Sequence, residues 1–273
     1  MELQAGRRWQ PTRIERVNNV LNTSTKPLLV VTDMGLALLK YIGNAQGNDA
    51  LVAELLAAEL AAMAGLTTPD FAVERIPEIP TRDPFIIAQS GPAFFSRWQP
   101  AASLAPNSRL LRALRDPKDI ARLVVFDTWL RNKDRFSEDI FGGVTNYDNI
   151  LIVPDKQKSK LLVIDHSHAF TETTLENEIN ADWANEEQVY GLFNEFAPML
   201  RRRDVESAIN LICSLALSDI RDVCRSSPVE WGFVPQLADT LAELLVKRAN
   251  KMRRWLAVAI FDQLEMDLQG KED

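Results

Sequence analysis

The chain has 273 residues, 46% of them hydrophobic and 25% charged, with a net charge of −7, which allows a sizeable core in one bilobal domain or two small ones and argues against a general nucleic-acid binder, whose affinity rests on a basic surface. Its apolar stretches fall far short of a membrane span, and Met1 to Trp9 lacks the apolar core of a signal peptide, so a cytoplasmic location is expected. The two cysteines, Cys213 and Cys224, form no metal pattern and are expected to be reduced.

Residues 12 to 42 read as strands joined by turns. The polar cluster Asn22 to Pro27 leads into Leu28-Leu29-Val30-Val31-Thr32, and Asp33-Met34-Gly35 turns the chain into Leu36 to Tyr41, a strand ending near a single Lys40. A helix from Ala50 to Ala64 follows, with Asn48 or Asp49 to cap it and Gly65 to end it. It carries Glu54 and Glu59, which do not share a helical face, so only one of them can point at Lys40. Phe71 to Glu74 and Phe85 to Ala88 read as further strands around a Pro-rich segment, and Gly91-Pro92-Ala93-Phe94-Phe95-Ser96 reads as a hinge between two halves of the fold. Trp98 to Ser108, with Pro100 and Pro106, is the least regular stretch and marks the boundary.

From Ser108 the pattern is helical, with Asp116-Pro117 opening a helix that runs through Ile120, Leu123 and Val124 to the segment Leu130 to Arg135. Two apolar, β-branched runs then flank the polar Asp155 to Ser159, the pattern of an antiparallel hairpin. In such a hairpin Asn149 and Asp165 meet at the open end, on strands about 5 Å apart. An amide oxygen and a carboxylate are hard ligands that suit Mg²⁺ carrying nucleotide phosphates, and Asp134 can converge on the same end. One carboxylate for the attacking hydroxyl and an Asn/Asp pair for the metal are what phosphoryl transfer requires. His166 and His168, the only histidines, lack a third nitrogen or sulfur ligand for zinc and read as hydrogen-bonding loop residues.

Beyond Phe170, Asn185 to Leu200 reads as a helix with Val189, Leu192, Phe193 and Phe196 inward. Asp204 to Cys224 reads as a second, and Gln236 to Leu268 as one or two more after the break at Ser226 to Gly232. Lys247, Arg248, Lys251 and Arg254, at helical spacing, together with Arg201-Arg202-Arg203, could meet an acidic partner or an anionic headgroup but read first as a solvated face.

The order Asn132-Lys133-Asp134-Arg135, Asp148-Asn149-Ile150-Leu151, Ile164-Asp165-His166-Ser167-His168-Ala169-Phe170 resembles the catalytic segment of the HipA-like kinases and, more distantly, of the type II phosphatidylinositol 4-kinases. The resemblance extends over nearly the whole chain, including Gly65-Leu66-Thr67-Thr68-Pro69 and Pro228-Val229-Glu230-Trp231. It implies a bilobal α+β protein-kinase-like fold, one kinase domain with a small β-rich N-lobe (1–98) and a mostly helical C-lobe (99–273), binding ATP and Mg²⁺ between them. It assigns Asp134 as catalytic and Asn149 and Asp165 as metal-binding, with Asn146 the nearest rival of Asn149 because the loop Phe136 to Asp148 is longer than the family's. It pairs Lys40 with Glu54 on the phosphates. Ser24, Thr25 and Lys26 become the phosphate loop, and Phe94 and Phe95 lie where adenine meets the hinge.

The acceptor is expected to be a Ser or Thr of a protein, with self-phosphorylation at Ser24 or Thr25. The family often belongs to toxin–antitoxin systems, so an antitoxin is the partner it implies. Two other readings stay open: a lipid or small-molecule kinase, and a pseudokinase in which the long loop has removed Asn149 from the metal. Taken singly, the three acidic and amide positions are ordinary turn and cap residues, Glu54 and Glu59 ordinary solvated glutamates, and the phenylalanines ordinary core.

Overall fold

The computed structural model describes residues 2–81, 86–104, 109–135, 149–170 and 174–269. Phe85, Asn146 and the loop 136–148 lie outside the described residues.

The N-terminal region builds β1 (Ile14–Val20), β2 (Leu28–Thr32) and β3 (Gly35–Lys40), then α1 (Asn48–Met63), β4 (Phe71–Ile76), the short pair β5 (Ile79–Pro80) and β6 (Ile87–Ala88), and β7 (Gly91–Arg97). The main sheet is antiparallel in the order β1-β2-β3-β7-β4. This corrects the hinge expected at Gly91 to Ser96: that segment is an inner strand of the sheet, held on one side by β3 and on the other by β4. One face of the sheet packs Leu28, Val30, Leu39, Ala72 and Phe95 around Trp9 in a core of its own. The other face meets α1.

Helix α1 is apolar almost all round and every residue from Ala50 to Ala61 is buried, because it lies between the sheet and the C-terminal helices. Its N-cap is Gly47, not Asn48 or Asp49, which fall inside the helix. Asp49 instead accepts a hydrogen bond from the backbone N–H of Leu175, 2.9 Å away. Glu59 is 1% exposed and accepts the backbone N–H groups of Gln4 and Ala5, so the N-terminal segment is strapped across the helix.

After β8 (Ala102–Ser103), α2 (Lys118–Leu130) leads to the hairpin β9 (Ile150–Asp155) and β10 (Lys158–Val163), which forms a three-stranded sheet in the order β10-β9-β8. The hairpin turn is only Lys156-Gln157, with Lys156 at φ +58°, and Ile150 pairs with Val163 at the open end. The remaining elements are α3 (Leu175–Asn180), α4 (Arg202–Cys213), α5 (Leu217–Cys224), α6 (Pro235–Met252) and α7 (Leu256–Gln269). Two expectations are corrected here. Residues 185–200 are not an α-helix but carry 3-10 turns at Trp183–Asn185 and Asn194–Met199, interrupted where Gly191 takes φ +69° and with Pro198 in the second turn. The single helix expected over Asp204 to Cys224 breaks into α4 and α5 at Ser214 to Ala216. The apolar positions Val189, Leu192, Phe193 and Phe196 are nevertheless buried.

The basic face expected on α6 is also divided. Arg248 is 0% exposed and donates to the carbonyls of Thr128, Trp183 and Glu186, stacking over the Trp183 ring at 5.0 Å. A guanidinium suits this position because its planar fork serves several carbonyls at once. Lys247 pairs with Asp182 at the surface. Among the described residues no helix is long and apolar enough to cross a membrane.

Candidate active site

A cavity of about 260 Å³ opens between the main sheet, the segment after β7 and the hairpin. Leu38 and Lys40 of β3 and Phe94 and Ser96 of β7 line it. These four alternate along paired strands, with Lys40 opposite Phe94 and Leu38 opposite Ser96, so the pleat turns all four to one face. Phe95, expected beside them, is turned by the same alternation to the other face, where it packs with Leu39 and Ala72. The cavity wall is completed by Trp98, Gln99 and Ala101, where the chain leaves the sheet, and by Leu151 and Leu162 of the hairpin. An apolar slot of this kind fits a flat heterocycle.

At the inner end of the cavity Lys40 sits between two carboxylates. Its ammonium bonds Glu54 of α1 directly and Asp165 at 2.8 Å. Burial works against the charge of Lys40, but Asp165 and Glu54 outweigh it and raise its pKa. Glu54 is pushed up to about 7 by burial, against the pull of Lys40. It also accepts the backbone N–H of His166 at 2.9 Å, so the helix is tied both to β3 and to the segment that carries Asp165. Asp165 is desolvated too, yet Lys40 holds its carboxyl well below the usual carboxylate range.

Asp165 follows the hairpin in the left-handed region, at φ +52°, and Phe170 closes the same turn at φ +69° with its N–H on the carbonyl of Leu130 at 2.8 Å. A left-handed Asp is tolerated because its short polar side chain bonds locally, and the Ser167 hydroxyl donates to Asp165 Oδ1 at 2.9 Å. The open end of the hairpin is closed by Ile164 N–H on the carbonyl of Asn149 at 3.3 Å, which brings Asn149 beside Asp165 as the strand pattern required. Asn149 and Asp165 both line the cavity, and Asn149 donates its amide to Asp134.

The donor set fits a hard divalent cation. The amide nitrogen of Asn149 is directed at Asp134, which leaves its carbonyl oxygen. Among the described residues, Lys40 and Ser167 both bond Oδ1 of Asp165, so neither of these bonds uses Oδ2. Among the described residues no cluster of three or more His, Cys, Asp or Glu could hold a metal, so a cation here would complete its shell with ligand phosphates and water, as Mg²⁺ commonly does. His166 is pushed well below its usual pKa by burial and then by the Arg135 charge, and its ring packs edge-on against Phe126 at 5.8 Å. His168 meets Gln46 at 3.1 Å.

The segment expected to cradle phosphates is placed differently in detail. Thr23 lines the cavity, Ser24 is exposed, and Thr25 is buried with no hydrogen-bond partner for its hydroxyl among the described residues. Lys26 takes φ +47° and its carbonyl accepts the Tyr41 hydroxyl at 3.0 Å. Sequence reasoning missed Thr23, Trp98 to Ala101, and the buried group Asp127, Asn132 and Arg135 next to Asp134. The signal for the last was an acidic residue inside the apolar stripe of α2, where a solvated carboxylate has no place.

A family model described as HipA-like kinase matches residues 15–259. No curated protein matches the chain by sequence. Among solved structures, a Helicobacter pylori proinflammatory kinase, CtkA, superposes with a TM-score of 0.56 at 12% identity, over 92% of this chain and 96% of that one. A Leishmania major MAP kinase, LmaMPK10, gives a TM-score of 0.27 at 10% identity over 92% of this chain and 83% of that one. The CtkA superposition shows a kinase fold, with the β-sheet region N-terminal and the helical region C-terminal.

Proposed function

Because this chain belongs to the HipA-like kinase family and is therefore a phosphotransferase, we propose that it transfers the γ-phosphoryl group of ATP to a Ser or Thr hydroxyl of a protein. The observation that carries this reading is the convergence of Lys40, Asn149 and Asp165 on one cavity, with Asp134 bonded to Asn149. Lys40, held charged and aimed by Glu54, binds the α- and β-phosphates. Asn149 and Asp165 would hold Mg²⁺, which would supply charge neutralisation on the phosphates. Asp134 orients the acceptor hydroxyl and takes its proton. Phe94 and the segment Trp98 to Ala101 enclose the adenine.

The division into lobes falls at residues 98 and 99, after β7. Of the two hydroxyls proposed for self-modification, Ser24 is the accessible one, since Thr25 is buried. Adding close to two negative charges at Ser24 would repel incoming phosphates, so self-phosphorylation is an off switch and an antitoxin is a second route to control.

The test is calorimetry of Mg²⁺-ATP binding together with intact-mass and peptide mapping after incubation with labelled ATP. Wild type is expected to bind Mg²⁺-ATP and to gain phosphate on Ser24, Asp165→Ala to lose the metal-dependent part of binding, and Asp134→Asn to bind as wild type while gaining no phosphate. Binding that Asp165→Ala leaves unchanged sinks the assignment. Nucleotide binding without transfer to any protein, lipid or small-molecule acceptor marks a pseudokinase.

A further inference from the structure

We propose that Arg135 is a positioning residue for phosphoryl transfer, acting with Asp127 as one strut that sets the spacing between Asp134, Asn149 and Asp165; the inference rests on the reading given under Proposed function. Arg135 follows Asp134 directly, and its side chain is 0% exposed. Its Nε donates to Asp127, also 0% exposed, at 3.0 Å. Its Nη1 donates to the carbonyl of Asn149 at 3.0 Å and to that of Ile164, the residue before Asp165, at 3.3 Å. One rigid guanidinium therefore joins α2, the catalytic segment and both strands at the open end of the hairpin. The three proposed active-site groups sit on, or one residue from, the atoms it binds.

A buried arginine whose purpose was charge compensation alone would have its donors on carboxylates. Here two of its bonds go to main-chain carbonyls at the positions that must be held for a metal to be shared between Asn149 and Asp165. Partners outside the reacting groups commonly fix the aim of metal ligands in this way. The carboxylate end is itself fixed. Asn132 donates to Asp127 Oδ1 at 3.1 Å, and its backbone N–H donates to the Asp127 carbonyl at 2.9 Å. Gly191, at φ +69°, packs so closely that a Cβ there would lie 2.5 Å from Asp127 Oδ2, and its N–H donates to the Arg135 carbonyl at 2.8 Å. The strut thus has no room to swing, and its geometry passes to the hairpin. Lysine cannot replace it, because a single ammonium does not present the planar fork that reaches a carboxylate and two carbonyls together.

The experiment compares wild type, Arg135→Lys and Asp127→Asn in three readouts: the Mg²⁺ concentration that half-saturates ATP binding, ATP affinity without Mg²⁺, and the thermal midpoint. In Arg135→Lys the Mg²⁺ requirement is expected to rise by roughly 10- to 100-fold, with metal-free ATP affinity unchanged and kcat falling while KM for the acceptor holds. Asp127→Asn keeps the shape and one acceptor for Arg135, so a smaller shift in the same direction is expected. Should Arg135→Lys fail to fold, Asp127→Asn decides alone. A lowered midpoint with the wild-type Mg²⁺ requirement and wild-type kcat per folded molecule makes the strut merely structural and overturns the inference. A wild type whose ATP binding ignores Mg²⁺ overturns the Proposed function as well, which separates the two failures.

Discussion

Two buried ion clusters lie on either side of the hairpin's open end, and they are built from the same chemistry to opposite effect. Lys40, Glu54 and Asp165 face the cavity, and the Asp165 side chain keeps 26% of its surface exposed. Asp127, Asn132 and Arg135 are sealed, with 0% exposure at each of the three. In the first, Asp165 is partly exposed and faces the cavity, so the cluster is open to exchange its internal bonds for bonds to water or a ligand. In the second, Nε and Nη1 of Arg135 are taken up by the Asp127 carboxylate and two main-chain carbonyls, and none of the three side chains reaches solvent. A buried pair is weak evidence of net stability, but removing one partner leaves an uncompensated charge, and the cost depends on whether water can reach it.

That contrast can be broken most sharply at Lys40. Lys40→Met is expected to lower phosphoryl transfer by on the order of 10³-fold, the size seen when a donor to developing charge is lost. Its thermal midpoint should move little, because Glu54 can take up a proton and Asp165 can meet water; a midpoint loss as large as that of a sealed-cluster variant would erase the distinction. Asp127→Ala strands Arg135 in the interior and is expected to destabilise the fold by about 3–5 kcal/mol. For a chain of this size that is a fall in midpoint of roughly 10 °C, measured by calorimetric melting.

A pH series sharpens the comparison further. Burial raises Asp127 to about 6 from an ordinary value of 3.8. Between those values the native state holds more protons than the unfolded chain, so stability from this group is largest below pH 4 and declines as pH rises through 6. The decline is on the order of 1–3 kcal/mol, and Asp127→Asn should flatten that part of the profile; an unchanged slope would refute the assignment. The smallest effect is expected away from both clusters. Trp231 donates its indole N–H to the Pro92 carbonyl at 3.0 Å, fastening the C-terminal region to β7. Trp231→Phe should cost about 1 kcal/mol and leave Mg²⁺-ATP affinity as in wild type, measured by urea titration and calorimetry.

Much of the site was legible before any coordinate was known, where the signal was local. The hairpin reading brought Asn149 beside Asp165 because strand pairing depends on a short alternating pattern and its turn. Helical spacing said that only one of Glu54 and Glu59 can face Lys40, and the family resemblance chose Glu54; in the structure Glu54 bonds Lys40 and Glu59 holds the N-terminal strap. What failed was reading burial from residue type. Glu54 and Glu59 are not solvated, and Arg248 left the expected basic face for the interior. Gly91 to Ser96 read as a hinge because Gly-Pro and two phenylalanines look alike in a linker and in an inner strand, and only the β3 and β4 pairings distinguish them.

By itself, then, the sequence determined the order of chemical groups along the chain, the hairpin that joins two of them and the helix that carries a third, because propensity, periodicity and turn chemistry act over a few residues. Tertiary structure alone decided which face of β7 meets the cavity, where the chain leaves the sheet, and that Arg135 reaches two carbonyls from beneath the site. Those outcomes depend on what packs against each residue from far along the chain. A buried charge is stable only when partners from several elements arrive together, and no short stretch of sequence states which partners those will be.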